Sequence, residues 1–398
     1  MLLPLASYSS VEKLFLESLH KSKQVEIIEL NKKKSLSDLE KTTSSLYPSL
    51  GIIGTSRYGN NLTVSSLDEN EVDTQVALNL EQKLFQGGAE FTISDYNKII
   101  PKKADVQKEK EISQYYGEFS VLYFKLSSAV EEYSKVEALY NNLKKRVQIV
   151  KKRTAIGRDR RADLFALESQ LFRLEADLNT SKAQLDTAKT NFINFSELQA
   201  VEAKIDSVNP LMLNLQKNED LDKRPDLQSL KLNVESSKLD TKIEESSYYP
   251  QVDLGANYYV DKSSAGNNEW DVSLSVKLNL LDFGKRSSSV QSKKVVERIN
   301  EARFKYNKLN AQREWNNYID NFNAKKDEYK SLKNALERSK KSYDEQLKDL
   351  NRGLITQIEV IRSLDDVISL EKLTIRSALE VKSLYYQANA YLGNYPRG

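Results

Sequence analysis

Residues able to do covalent chemistry are almost missing from this chain. There is no cysteine among its 398 residues, which removes thiol nucleophiles, disulfides, cysteine metal sites and an acylated N-terminal cysteine. The single histidine, His20, lies among Leu19, Lys21 and Ser22 and reads as a solvated helix position. No nucleophile stands with a base, and no glycine loop or metal cluster is visible, so neither an enzyme nor a cofactor is expected. What remains is charge, and it is balanced. Sixty basic residues against 57 acidic leave a net charge of +3, which argues against a nucleic-acid binder. One local imbalance stands out, the cluster Lys151, Lys152, Arg153, Arg158, Arg160 and Arg161 around Gly157.

The elements that position these charges come as a duplication. Gly88, Gly157 and Asp163 recur as Gly284, Gly353 and the acidic Glu359, each 196 residues later. Upstream, Leu30 and Tyr47-Pro48 recur as Leu232 and Tyr249-Pro250, 202 residues later. The six-residue difference falls between Pro48 and Val76, in a loop. Two copies of about 200 residues are not a solenoid of many short units. The expected organisation is a repeat over 7–205 and a second over 206–398. Each would hold a helix, a β-hairpin (about 47–86 and 249–283) and a long helical hairpin (about 88–200 and 284–393).

Helix breakers are nearly absent from two stretches of about 110 residues, Pro101–Pro210 and Gly284–Gly393, each interrupted near its middle by Gly157 or Gly353. That is the pattern of two helical hairpins. Ile112, Tyr116, Phe119, Tyr123, Leu126, Val130 and Tyr133 alternate steps of four and three, as do Leu164, Leu167, Leu171, Leu174 and Leu178. Such spacing makes a narrow coiled-coil seam. In the second copy Leu332, Leu336, Tyr343, Leu347 and Leu350 continue it less regularly. A helix from Gly88 to Gly157 would be on the order of 100 Å long, which suits a bridge or a tunnel wall.

Before each rod the period changes to two. Val76, Leu78, Leu80, Gln82 and Leu84 alternate with Ala77, Asn79, Glu81 and Lys83. Val272, Leu274, Val276, Leu278 and Leu280 alternate with Ser273, Ser275, Lys277 and Asn279. These read as strands with one apolar face, each preceded by a shorter one near Ser49–Tyr58 and Gln251–Val260. The connections Gly59–Glu71 and Asp261–Glu269 have the composition of exposed hairpin loops. Tyr47, Phe85, Tyr248, Tyr249, Trp270 and Phe283 gather at strand ends and would suit an interfacial girdle. The alternation fits a membrane barrel and equally a soluble sheet with one wet face. Four strands cannot close, so spanning strands would require several protomers to share one barrel. No run of about 20 apolar residues exists to form a transmembrane helix. Met1–Ala6 is apolar but short, and reads either as the stub of a signal sequence or as an added start.

The segments Val76–Gly88 (VALNLEQKLFQGG) and Val272–Lys285 (VSLSVKLNLLDFGK) resemble the strand-to-helix junctions of TolC-like outer-membrane efflux proteins. Arg224-Pro225-Asp226-Leu227 before Tyr249-Pro250 is similar to the lead into that family's second hairpin. Arg352-Gly353-Leu354-Ile355-Thr356, with Glu359 and Val360, resembles its periplasmic tip. The resemblance covers about Ser7 to Gly393. Each motif is short, and their order and spacing carry the specificity. It implies an α+β membrane protein: a homotrimer sharing a 12-stranded β-barrel, four strands from each chain, continued by an α-helical coiled-coil barrel through the periplasm. It also implies a passive exit channel for efflux or type I secretion, served by a periplasmic adaptor and an inner-membrane pump. The alternative is a soluble periplasmic coiled-coil tether, for which the strand pairs would have no use.

The resemblance further implies site residues. Gly157 and Gly353 permit tight helix reversals, or simply end their helices, and Arg158, Asp159, Leu354, Ile355 and Thr356 beside them would face the adaptor. The basic cluster reads as an adaptor-docking charge or as a solvated helix end. Family members often close the entrance with acidic rings, and Glu359 matches the first ring position. Three residues later stands Arg362, where many members carry Asp. That departure leaves open an alternating Glu359–Arg362 belt, a shift of the acidic role to Asp365 and Asp366, or ordinary helix-surface charges. Asp163 is the equivalent in the first copy. Glu81, Lys83 and Lys277 would face the barrel lumen.

Overall fold

The computed structural model describes residues 10–59, 71–198, 207–262 and 269–397. The N-terminal stub, most of both hairpin loops and the expected boundary between the repeats lie outside these residues. In chain order the elements are α1 (Ser10–Lys21), α2 (Lys23–Ser44), β1 (Ser49–Gly59), β2 (Glu71–Gln86), α3 (Ala89–Ala155) and α4 (Arg161–Ser196). Then follow two 3-10 turns, α5 (Pro225–Glu245), a third 3-10 turn, β3 (Gln251–Lys262), β4 (Trp270–Lys277), α6 (Lys285–Asn351) and α7 (Gln357–Leu392).

Each rod is bounded by the glycines expected from the sequence. α3 and α6 both contain 67 residues, and α4 and α7 both contain 36. α3 continues through Pro101, where the ring removes one backbone donor without ending the helix.

The chain divides into two compact units that cut across the repeats. The first comprises Met1–Glu29, Glu109–Pro225 and Leu309–Gly398; the second comprises Leu30–Lys108 and Asp226–Lys308. In the first unit the seam residues Ile112, Tyr116, Phe119, Tyr123 and Leu126 are buried. They join Val11 and Phe15 of α1, Phe192 of α4 and Tyr386 and Ala390 of α7 in an aromatic-rich core. A second core gathers Val136, Leu143, Val147 and Val150 of α3 with Leu167 and Leu174 of α4 and Leu364 and Ile368 of α7. The leucine seam of α4 thus meets the other repeat's returning helix. A buried guanidinium closes this unit: Arg224 stacks 3.5 Å from the centroid of the Tyr391 ring. The Tyr391 ring lies parallel to that of buried Trp315, whose indole N–H donates to the Lys217 carbonyl over 3.3 Å.

The second unit carries one antiparallel sheet in the order β1-β2-β3-β4. Cross-strand partners share a face, so the pairings Leu50–Leu80, Ile52–Leu78, Leu78–Tyr258, Leu254–Leu274, Val252–Val276 and Tyr258–Trp270 build one continuous apolar face. The opposite face is polar. It carries Asn79 against Asn257, Lys83 against Asp253, Asn257 against Asp271 and Gln251 against Lys277. β4 stops at Lys277, short of the Leu280 expected from alternation. The reason is pairing: Lys277 lies opposite Gln251, the first residue of β3, so residues beyond it have no partner on that side.

Candidate pore entrance, tips and sheet surface

Both tips are built the same way. At the end of α3 the Gly157 N–H donates to Thr154 O at 3.0 Å and the Arg158 N–H to Arg153 O at 2.9 Å. At the end of α6 Gly353 N–H reaches Leu350 O and Leu354 N–H reaches Asp349 O, both at 3.0 Å. This is the Schellman reversal, which needs a left-handed residue at the turn. Gly157 and Gly353 supply it with φ of +73° and +77°. Nothing lies within 4 Å of a Cβ built at either glycine, so it is backbone angle and not crowding that calls for glycine here.

The side chains around the two reversals differ. Arg153 pairs with Asp159 at 3.1 Å, and Lys151, Lys152, Arg158, Arg160 and Arg161 are exposed. The second tip presents Leu354, 69% exposed, beside half-buried Ile355.

The four charges proposed from sequence near the second tip do not act as one set. Glu359 sits in the first turn of α7, where its carboxylate accepts the Thr356 N–H at 2.7 Å and the Thr356 hydroxyl at 2.9 Å. These bonds, led by the backbone one and helped by nearby Arg362, hold its pKa below the usual range. The Thr-x-x-Glu capping signature is written in the sequence at Thr356–Glu359. Glu359, exposed Arg362 and exposed Asp366 line one open groove of about 820 Å³ with Arg338, Ser342 and Gln346 of α6. Asp365 turns away from it. That carboxylate is half-buried and accepts a hydrogen bond from the Gln170 amide of α4, and burial raises its pKa. Asp163 occupies the matching first turn of α4, after Arg160, whose side chain makes no cap bond.

On the polar sheet face Glu81, Lys83 and Lys277 are exposed. Between them runs a side-chain ladder that the sequence did not reveal. Asn79 donates to Asn257 at 2.8 Å and Asn257 to Asp271 at 3.1 Å, while Gln86 donates to Asp253 at 2.9 Å. Among the described residues no cluster of His, Cys, Asp or Glu could hold a metal ion, and no helix is long and apolar enough to cross a membrane.

Four strands set among paired helices of these lengths are the architecture of outer-membrane channel subunits. The outer membrane protein VceC of Vibrio cholerae superposes with a TM-score of 0.81 at 14% identity, covering 96% of this chain and 96% of that one. The CmeC outer membrane channel of Campylobacter jejuni gives 0.83 at 13% identity over 97% of this chain and 86% of the other. The open-state MtrE outer membrane channel of Neisseria gonorrhoeae gives 0.80 at 15% identity over 96% and 88%. No curated protein sequence matches the chain. Residues 218–388 match the family described as outer membrane efflux protein. The chain thus shares the fold of these channels over nearly its whole length, and residues 218–388 carry the sequence pattern of the efflux-protein family.

Proposed function

We propose that three copies of this chain close one barrel of 12 strands and form a passive exit duct for efflux or type I secretion. Each repeat would give one β-hairpin to the barrel and one helical hairpin to the tunnel. The observation that carries this reading is the sheet: one face apolar and exposed, the other polar and hydrogen-bonded, with β1 and β4 each presenting an open edge. In a bilayer, open edges are too costly to persist, and pairing β4 of one copy with β1 of the next removes them.

In this arrangement Glu81, Lys83 and Lys277 face the lumen. Glu359, Arg362 and Asp366 form a mixed-charge entrance, repeated threefold around the axis, in place of an all-acidic one. Asp365 belongs to the packing of α7 on α4. The tips, Gly157-Arg158-Asp159 and Gly353-Leu354-Ile355-Thr356, dock a periplasmic adaptor that connects the duct to an inner-membrane pump. A soluble tether would have no use for an exposed apolar sheet face.

Single-particle imaging in mild detergent tests the proposal. A three-fold hollow cylinder of roughly 140 Å is expected from the helix rise plus the membrane span. Thin, solid particles that stay monodisperse without detergent would refute it.

A further inference from the structure

The helical hairpins of the two repeats are covered differently. In the first repeat the hairpin of α3 and α4 is covered by α7 of the same chain. Ile361, Leu364 and Ile368 of α7 join the core that holds Leu143, Val150, Leu167 and Leu174. Polar pairs flank this seam: Gln170 donates to Asp365, Arg146 donates to Gln357 at 3.3 Å, and Lys372 meets Asp177 at 2.8 Å. In the second repeat the matching surface of α6 and α7 lies open, as the groove of about 820 Å³.

The offset of 196 maps one surface onto the other. Leu143, Val150, Leu167 and Leu174 become Ser339, Gln346, Ser363 and Leu370, and all four line the groove. The same offset names an occupant. Ile361, Leu364 and Ile368 correspond to Phe165, Glu168 and Phe172 of α4. In a single copy Phe165 is 64% exposed and Phe172 67%. The flanking pairs map consistently too. Gln170–Asp365 becomes Asp366–Ser169, Arg146–Gln357 becomes Ser342–Arg161, and Asp177–Lys372 becomes Leu373–Ala176. All six of these residues are exposed in the single copy, and no pair opposes like charges.

We propose that α4 of one copy lies in this groove of the next, with Phe165, Glu168 and Phe172 seated on Ser339, Gln346, Ser363 and Leu370, and that the entrance parts at these seams between copies while the seams within each chain stay shut. This rests on the three-copy reading above. Six hairpins then surround the entrance, and two kinds of seam alternate. Within a chain, aliphatic residues meet aliphatic residues. Between copies, a carboxylate and two rings meet hydroxyls and an amide. Burying polar groups gains less and costs more than burying apolar ones, so equivalent geometry gives the weaker contact between copies. The groove's Glu359 and Arg362, assigned above to the entrance, border that seam.

The absence of native cysteine lets disulfide formation report each seam in the full chain in mild detergent. Ser169→Cys with Asp366→Cys probes the seam between copies, and Gln170→Cys with Asp365→Cys the seam within a chain. Oxidation with copper phenanthroline should link the first pair into dimers and trimers on a denaturing gel. The second pair should link within one chain, identified by peptide mass. When oxidation follows exposure to rising urea, the first link should be lost at a lower urea concentration than the second. Giving the first pair the residues of the first repeat, Glu168→Leu with Ser339→Leu, should move its midpoint upwards.

Three-fold particles without a link between copies would overturn the seat while the trimer stands. Coincident or reversed urea midpoints would overturn the weaker seam, and an unmoved midpoint in the leucine variant would overturn polarity as its cause. Single chains that never link would sink the three-copy reading and the seat with it.

Discussion

Gly87→Ala is the substitution at which the two junctions between sheet and rod can be examined together. Gly87 has φ of +67°, and a Cβ there would stand 2.1 Å from the Ser246 carbonyl oxygen, 3.0 Å from its carbon and 3.2 Å from the Tyr249 Cβ. The left-handed conformation alone costs an alanine about 1–2 kcal/mol. The collision involves backbone, which has no rotamer to yield, and forced repacking adds about 1–3 kcal/mol. The next residue is the control. Gly88 has φ of +88° but nothing within 4 Å of its Cβ position, so Gly88→Ala carries only the conformational cost. The two variants, unfolded with guanidinium chloride in the same detergent and followed by loss of helical circular dichroism, should differ by roughly 1–3 kcal/mol, with Gly87→Ala the weaker. Equal midpoints would refute the close approach of the first junction to the 3-10 turn that precedes β3.

Two further outcomes follow from the first unit. The Glu359 carboxylate caps α7, and its pKa is depressed. Its contribution is therefore complete above the unfolded carboxylate value of about 4.3 and is lost as pH falls through the lower folded value. Hydrogen exchange over residues 356–362, corrected for intrinsic rates, should be flat from pH 7 down to about 5 and should show lost protection over that range in Glu359→Ala, which has no acceptor for the Thr356 N–H; an unchanged variant would remove the cap from the account. Arg224→Lys keeps the charge but loses the planar stack on Tyr391, and should cost about 1–2 kcal/mol. An unshifted unfolding midpoint would show that the stack contributes little.

The rods were legible because their punctuation is local. Glycines at 88, 157, 284 and 353 each take positive φ, and glycine tolerates that angle with little cost. Period-two alternation similarly located the strands and their faces. What the sequence left open depends on long-range partners. β4 ends where β3 runs out of residues to pair with. Asp365 and Asp366 are neighbours in sequence yet about 100° apart around a helix, and only the position of Gln170 on α4 decides which one turns inward. The stack of Arg224, Tyr391 and Trp315 joins residues far apart in the chain, and no local pattern announces it. Glu359 is a different case. Its Thr-x-x-Glu signature is local and readable, and it fixes the carboxylate at the start of α7 whatever else that charge faces.

The two open edges of the sheet have a consequence for the chain before any barrel closes. A single copy carries an exposed apolar face and two open strand edges, all complementary to any other copy it meets. Correct closure and runaway edge-to-edge polymerisation therefore draw on the same bonds. They differ in order: in the proposed barrel, closure would be complete at three copies, while polymerisation grows with every further encounter. If the proposed duct forms, the concentration of free chain must stay low relative to the rate of barrel closure for finished ducts to outnumber open polymers.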